Sequence, residues 1–346
     1  MPDGVPLLSA PALEFIRRIY AKLPRSLADA DRFDPWLAER FSRYVAGKLP
    51  DDIDVLIAWS GGAKELMRCA HKRNIKVMLE RGSTHIAHQA EVLNDAYRMF
   101  GIEKPAVPPR MIERETEEYE GADAISVPTH YAAGTFIERG VARDKIKINP
   151  YGVALERFLL AKDGGRKRND GPVRILFVGQ VGIRKGIPWL LRAFQSLKQA
   201  AELHLIGPVP KEMEEILGRE PLENVTIHGS VPGEALPEIY KSADIFCLPS
   251  LEEGFALVLL QAMAAGLPVV ASNVSGAEDL IASGEQGYLV PPCDSDALME
   301  ALAALIDRPE ARAAMGIAAR SRVERGYSWQ DYGERAVSAV RQVLGH

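Results

Sequence analysis

Hydrophobic positions recur with two different spacings, one in residues 1–50 and another from residue 53 onward. In residues 1–50 the apolar positions recur at helical spacing, as in the segment 11–20 (PALEFIRRIY). From residue 53 onward, short continuous apolar runs alternate with longer amphipathic stretches. Continuous apolar strands that alternate with helices are typical of a parallel sheet covered on both faces. The pattern therefore predicts an amino-terminal helical region followed by an α/β fold.

The alternation forms two blocks, separated by a polar segment rich in glycine and charge (AKDGGRKRNDG, 161–171). The first block predicts strands at 53–60, 75–80, 122–129 and 145–153. The second predicts strands at 173–180, 202–208, 225–230, 244–250, 267–272 and 287–291, and helices at 186–200, 235–243, 276–283 and 294–306. We expect two doubly wound (Rossmann-like) domains facing across a cleft, which is a natural ligand site. The expected division is a first domain at 1–160, a linker or loop at 161–172, a second domain at 173–327 and a final helix at 328–346 that packs back on the first domain.

Composition and charge narrow the class of protein. The chain has 346 residues, 47% of them hydrophobic and 26% charged, as in ordinary globular proteins. A net charge of −5 argues against a dedicated nucleic-acid binder, whose domains are usually basic. The three cysteines form no CxxC pair, which indicates a reducing compartment and no metal cluster. No apolar run has the length of a membrane span and no signal sequence is visible at the amino terminus, so we expect a cytoplasmic protein.

One stretch of the second block carries unusual polar residues (PSLEEGFALVLLQAMAAGLPVVAS, 249–272). Glu253 and Gly254 lie where a predicted strand gives way to a helix expected to begin near Phe255, and a helix amino terminus suits an anionic ligand. Gly254 permits a close backbone approach. Gln261 follows Glu253 by eight residues, about 80° round the same helix, so both side chains can reach one elongated ligand. The alternative is that Gln261 bonds the backbone of a neighbouring loop.

This stretch resembles the signature of the retaining GT-B glycosyltransferases of the group-1 family (glycosyltransferase family four). That signature begins E-G-F-G, and a second acidic residue follows the first by eight positions. Glu253 matches the first acid, whereas Gln261 replaces the second and Ala256 replaces the second glycine. The resemblance implies that Glu253, with the amides of Gly254 and Phe255, contacts the donor sugar. It also implies that residue 261 holds the ribose of the nucleotide.

The segment 178–194 (VGQVGIRKGIPWLLRAF) resembles a second motif of the family, V-G-R-x-x-x-x-K-G-x-x-x-L-L-x-A-F. Lys185 matches the lysine of this motif, and Gln180 replaces its arginine. Arg184 lies beside Lys185 and is the candidate for the missing cation. Two cations near a helix start can neutralise a leaving nucleoside diphosphate. The alternative is a solvated pair of surface charges.

Two further segments extend the resemblance over residues 173–300. The turn after the strand 225–230 is similar to the family's base-binding turn, in which Ser230 and Val231 would supply backbone contacts. The segment 275–298 resembles a third family motif and places Glu278 at its acidic position.

The amino-terminal half resembles the family less closely. The loop after the strand 75–80 (ERGSTHIAHQ) lies where relatives carry an acceptor-side histidine or carboxylate. His85 is the leading catalytic candidate there, with Glu80 and Arg81 as further acceptor-side candidates, although a loop histidine is more often structural. The family's opening strand and glycine-rich acceptor loop are not visible near residue 10. Either residues 1–50 perform that role differently, or the chain begins late.

The resemblance implies a retaining hexosyltransferase that uses a UDP- or GDP-sugar and acts on a glycan or a lipid-linked acceptor. Its expected catalytic groups are Glu253, His85, Lys185 and Arg184, and no metal or cofactor is expected, because cationic side chains and a helix end replace the metal's charge. Basic residues near Arg17, Arg18 and Lys22 either touch a membrane at its inner face or form a solvated face.

Two alternatives stay open at this point. A non-catalytic sugar-nucleotide-binding or regulatory protein is favoured by Gln261, by Gln180 and by the missing acceptor loop. The second alternative is an enzyme with the GT-B fold that is an epimerase or a phosphorylase. Three D-x-D tripeptides, at 29–31, 52–54 and 294–296, match the metal motif of the other glycosyltransferase fold, but none follows a buried predicted strand.

Overall fold

The computed structural model describes residues 9–20, 29–158 and 171–345. The first part contains four strands: β1 (Val55–Trp59), β2 (Lys76–Glu80), β3 (Ala124–Val127) and β4 (Ile146–Ile148). Its helices are α1 (Pro11–Tyr20), α2 (Ala30–Ala46), α3 (Lys64–Lys72), α4 (Ile86–Met99), α5 (Pro109–Gly121), α6 (His130–Ile137) and α7 (Leu155–Phe158). The strands pair in parallel in the order β1-β2-β3-β4. The helical reading of the first fifty residues is confirmed for α1 and α2.

The second part contains six strands: β5 (Val173–Val178), β6 (Ala201–Ile206), β7 (Val225–Gly229), β8 (Ile245–Leu248), β9 (Val269–Ser272) and β10 (Gly287–Val290). Its helices are α8 (Ile187–Phe194), α9 (Lys211–Leu217), α10 (Leu236–Lys241), α11 (Leu257–Ala264), α12 (Ser295–Asp307), α13 (Pro309–Val323) and α14 (Trp329–Leu344). All six strands are parallel, in the order β10-β9-β8-β5-β6-β7. The predicted α/β fold with two Rossmann-like sheets is confirmed.

Each sheet has its own hydrophobic core. Strands β8 and β9 are buried at every position, which explains why their sequences are continuous apolar runs rather than alternating ones. Helix α14 begins at a capping box formed by Ser328 and Asp331, and it packs Ala339 against Met78 of the first sheet. Most of the predicted linker at 161–172 lies outside the described residues, as does Lys22.

Three predicted helices differ from the structure. The helix predicted at 186–200 ends at Phe194, and turns follow it. The segment 276–283 forms only a short 3-10 turn, Ala277–Asp279, because left-handed glycines at 276 and 284 leave too few residues for a stable helix. The helix expected near Phe255 begins at Leu257, after Ala256 in extended backbone conformation. Glu253 and Gly254 therefore lie in the loop that precedes the helix.

Candidate active site

The predicted donor-side residues gather at one edge of the second sheet. Arg184 and Lys185 follow β5, Glu253 follows the neighbouring strand β8, and Ser230 follows β7. In a parallel sheet these carboxyl ends share an edge, where ligands usually bind. Strand β7 lies two positions beyond β5, roughly 10 Å away at normal strand spacing. This separation suits an extended ligand such as a nucleoside diphosphate, with Ser230 and the half-buried Val231 at its far end.

Gly186 fixes the loop that carries the two cations. Its φ is 72°, in the left-handed region, and it caps helix α8. A Cβ atom at this position would lie 1.9 Å from the carbonyl oxygen of Pro249, so no other residue fits without a backbone shift. The loop after β5 is thereby held against the loop after β8. Arg184 also accepts at its carbonyl from the amide of Leu251, at 2.8 Å.

The two cations lie against two consecutive carboxylates. The Lys185 ammonium donates to Glu253 Oε1. The Arg184 guanidinium lies 3.0 Å from Glu252 Oε2 and 3.7 Å from Glu253 Oε2. Burial alone would lower the pKa of Arg184, but the charges of Glu253 and Glu252 outweigh it and raise the pKa. The group can hold phosphate oxygens through its cations and sugar hydroxyls through Glu253.

Glu252 is completely buried at the contact between the two sheets' loops. Its Oε1 accepts from the hydroxyls of Ser83 (2.7 Å) and Thr84 (2.6 Å), and its Oε2 accepts from the amide of Gln89 (3.0 Å). Burial would raise the pKa of this carboxyl, but the charge of Arg184 and these hydrogen bonds lower it to about 2. The sequence motifs point to Glu253 rather than to Glu252, and to none of Ser83, Thr84 and Gln89.

Gly254 lies where the two domains touch. A Cβ atom there would come within 2.2 Å of the carbonyl oxygen of Gly82 and 2.4 Å of the Ser83 Cα. The hydroxyl of Thr129 donates to the Gly254 carbonyl at 2.9 Å. The close approach predicted for Gly254 is therefore made by the loop of the first domain. Phe255 is buried beside it, with its ring 6.2 Å from that of Tyr151.

Gln261 lies half-buried on helix α11. Its Oε1 accepts a hydrogen bond from the hydroxyl of Tyr240 at 3.0 Å, and the Tyr240 ring is fully buried. The amide thus has a partner in a side chain of α10 rather than in a loop backbone. This bond leaves the Gln261 amide nitrogen for another partner.

The acceptor-side candidates have structural partners. His85 caps α4 through Nδ1, which accepts from the amide of Ala87 at 3.2 Å, and its ring packs against those of Tyr119 and Phe136. Burial, reinforced by the positive charges of Arg139 and Arg81, lowers the pKa of His85 to about 4. These contacts favour the structural alternative for the histidine.

Arg81 and Glu80 lie behind the loop. Arg81 donates to Glu115 Oε2 at 2.7 Å, to Gln89 Oε1 at 3.0 Å and to the Thr84 carbonyl at 3.0 Å. Glu80 ends β2 and is buried, and burial raises the pKa of its carboxyl. The structure therefore groups Arg184, Lys185 and Glu253 in the cleft, and places Arg81 and Glu80 within the packing of the first domain.

A cavity of about 510 Å³ opens in the first domain at the carboxyl end of β1. Its walls are mostly apolar side chains of α1, α2 and α5, with backbone of the loop after β1. The lining residues are Ala10, Leu13, Glu14, Arg17, Asp34, Leu37, Ala38, Phe41, Ser60, Gly61, Gly62, Met111 and Glu115. Because Glu115 also accepts from Arg81, the cavity is joined through Arg81 to the loop that contacts Glu252.

In the part of the chain that the structure describes, no three or more His, Cys, Asp or Glu side chains are grouped so as to hold a metal ion. None of the helices in that part combines the length and apolarity needed to cross a membrane.

Comparisons with known proteins identify the family. The profile of the family described as "Glycosyl transferases group 1" matches residues 162–322. The chain is 30% identical to a D-inositol 3-phosphate glycosyltransferase of Kribbella flavida over 254 residues, 68% of this chain and 60% of that protein. It is also 30% identical to a sulfoquinovosyl transferase of Arabidopsis thaliana over 223 residues, 61% of this chain and 43% of that protein. The matches thus span about half the length of these relatives.

Solved structures agree on the fold. Sucrose-phosphate synthase from Thermosynechococcus elongatus superposes with a TM-score of 0.70 at 23% identity, over 93% of this chain and 80% of that one. Anabaena HepE, solved in complex with UDP, superposes with a TM-score of 0.68 at 16% identity, over 88% of this chain and 82% of that one. The chain belongs to the group-1 glycosyltransferases and has their GT-B fold.

Proposed function

We propose that this protein transfers a hexose from a UDP- or GDP-sugar to an acceptor hydroxyl, with retention of configuration at the anomeric carbon. The observation that carries the proposal is the group formed by Arg184, Lys185 and Glu253 at the carboxyl edge of the second sheet. It faces the loop of the first domain across the cleft. The names of the two relatives, a sulfoquinovosyl transferase and a D-inositol 3-phosphate glycosyltransferase, support the reaction class.

The donor binds along the edge of the second sheet in this proposal. Lys185 and Arg184 bind the diphosphate and offset the negative charge that develops as the glycosidic bond breaks. To do so, Lys185 exchanges its bond with Glu253 for one with a phosphate oxygen. Glu253, freed of that bond, accepts from a hydroxyl of the donor sugar. Ser230 and Val231 contact the base, and Gln261 reaches the ribose.

The chemistry needs neither metal nor cofactor in this proposal. A metal ion bound to a diphosphate would act as a Lewis acid and offset its charge. Two adjacent cations on one short loop, Arg184 and Lys185, supply the same charge at a fixed position. We therefore assign the stabilisation of the leaving group to these two side chains.

The acceptor occupies the first-domain cavity in this proposal. The apolar side chains of Leu13, Leu37, Phe41 and Met111 line it, and Ser60 in its wall accepts from Arg81 Nη1 at 3.4 Å. Trp59 precedes Ser60, and its ring lies 3.3 Å from where a Cβ on Gly82 would be. Gly82 in turn contacts Gly254. An acceptor with an apolar portion, such as a lipid-linked glycan, suits these walls better than a free sugar.

A non-catalytic nucleotide-sugar binder is the second candidate. It is favoured by Gln261, where the family has an acid, and by the exposed Gln180, where the family has an arginine. Both functions require nucleotide binding, but only the first requires turnover.

The test has two stages. Thermal shifts with UDP, GDP and ADP identify the base, and hydrolysis of the matching sugar nucleotides is then measured with and without lipid-linked acceptors. The Glu253→Ala variant is the negative control, and Glu310→Gln, an exposed change on α13, is the matched charge control. Nucleotide binding without turnover of any donor would support the binder. Neither binding nor turnover would refute both candidates.

A further inference from the structure

We propose that Glu252 is a positioning residue that holds the cleft closed and orients Arg184 toward the donor diphosphate. The role of Arg184 rests on the proposed function, whereas the closing role does not. Glu252 touches neither the sugar nor the base in this proposal. It acts through Arg184 and through the loop of the first domain that follows β2.

One carboxylate oxygen of Glu252 accepts its hydrogen bonds from the first domain. Glu252 Oε1 accepts from the Ser83 hydroxyl at 2.7 Å, from the Thr84 hydroxyl at 2.6 Å and from the Thr84 amide at 3.3 Å. These donors lie on the loop whose backbone also presses against Gly254. The hydrogen bonds thus join the two domains at the point of closest backbone approach.

The other oxygen of Glu252, Oε2, contacts both the first domain and Arg184, the cation that binds phosphate in this proposal. Glu252 Oε2 accepts from Gln89 Nε2 at 3.0 Å and from Arg184 Nε at 3.1 Å, and Arg184 Nη2 lies 3.0 Å from it. Two guanidinium nitrogens are therefore directed to one carboxylate oxygen, which fixes the plane of the Arg184 side chain. Gly186 fixes the backbone of the loop that carries Arg184. The direction of the Arg184 side chain in the cleft then depends on its contact with Glu252.

The same residue links the cleft to the acceptor-side cavity. Gln89 donates to Glu252 and accepts from Arg81, and Arg81 donates to Glu115 in the cavity wall. The chain of bonds runs from Glu115 to Arg184 through buried or half-buried side chains. Loss of Glu252 would break this series of hydrogen bonds between Gln89 and Arg184.

A carboxylate is required at this position rather than an amide. Glutamine has the same size, but its NH₂ cannot accept from Gln89 and Arg184, and it carries no charge to balance the guanidinium. Removing one member of a buried, hydrogen-bonded charge pair leaves the other unpaired, and this is more damaging than losing a neutral hydrogen bond.

The test compares Glu252→Gln with the matched control Glu310→Gln, which removes the same charge from an exposed helix position. In the absence of ligand, small-angle scattering should give Glu252→Gln a larger radius of gyration than the wild type and the control. With donor, we expect KM to rise about tenfold or more and kcat to fall, because Arg184 is no longer held. The control should match the wild type in all three quantities.

A second variant covers the case in which Glu252→Gln does not fold. Thr84→Val removes one buried hydroxyl donor to Glu252 without leaving a bare charge, and Thr84 itself is not a donor-side residue. It should raise the donor KM in the same direction by a smaller factor. Unchanged scattering together with unchanged KM and kcat, in whichever variant folds, would overturn the proposal. Wild-type protein that turns over no donor would refute the proposed function, while the scattering comparison still decides the closing role.

Discussion

Replacing Gln261 with glutamate gives this stretch the second acid of the family signature that it resembles, and tests the proposed ribose contact directly. The structure shows the Gln261 oxygen accepting from the buried Tyr240 hydroxyl at 3.0 Å. A carboxylate oxygen can accept the same bond, so Tyr240 keeps its partner. Because the side chain is only half-buried, the new charge keeps some contact with water. We expect the free energy of unfolding to change by no more than about 1 kcal/mol.

The effect on nucleotide binding follows from the stronger acceptor. A hydrogen bond to a charged group contributes about 1 kcal/mol more than one between neutral groups, which corresponds to roughly fivefold tighter binding. The assay is calorimetric titration with the nucleoside diphosphate that gives the largest thermal shift, beside a melting curve without ligand. Gln261→Leu is the control, because it removes both the ribose contact and the acceptor for Tyr240. It should weaken binding and lower the melting temperature. A large melting loss in Gln261→Glu without tighter binding would refute the ribose assignment.

Four further outcomes are expected. Glu253→Ala should abolish transfer and also lower the melting temperature, because it leaves Lys185 without its buried partner, and near-normal turnover at saturating donor would contradict the sugar contact. Lys185→Ala and Arg184→Ala should each lower transfer by on the order of 10²-fold, measured as kcat/KM, and negligible effects in both would move the phosphate site elsewhere. His85 has a folded pKa of about 4, below its ordinary 6.5, so folding keeps it neutral and stability is lost as the pH falls from 6.5 toward 4. His85→Asn, which can still cap the helix, should flatten that loss in melting curves and keep activity, whereas loss of turnover would restore the catalytic assignment. EDTA should leave turnover unchanged, and activity that EDTA removes and Mg²⁺ restores would contradict the metal-free proposal.

The strands of both sheets could be predicted from the sequence because most contain a short apolar run, and β8 and β9 are buried at every position. Strand 225–230 was expected and Val225–Gly229 is found, and the run 267–272 contains β9 at Val269–Ser272. The segment 276–283 was predicted wrongly, because its apolar spacing resembles a helix whereas its length is limited by left-handed glycines at both ends. The spacing of apolar residues indicates which face of a helix is buried, whereas the end of this segment is set by the backbone conformation of its glycines.

That Arg184, Lys185 and Glu253 lie close together could also be predicted from the sequence, because they follow strand ends that lie side by side in a parallel sheet. The side-chain partners of His85 could not be predicted in this way. His85 stands at the expected place in the chain, but its ring direction depends on Tyr119 and Phe136, which come from distant elements. A residue's position after a strand fixes its backbone, not the partners of its side chain.

Glu252 shows where this limit comes from. In the sequence, Glu252 and Glu253 are adjacent acids, and only Glu253 matches the family signature. The Glu253 carboxylate accepts from Lys185, the Glu252 carboxylate accepts from Ser83 and Thr84, and the Arg184 guanidinium lies near both acids. The partners of Glu252 lie about 170 residues away, so local sequence carries no signal of them. What separates the two acids is the first domain's loop, which encloses Glu252 completely. The functional difference between neighbouring carboxylates in this cleft is therefore a property of domain closure, and perturbing closure should change the chemistry of Arg184 even when every donor-side residue is intact.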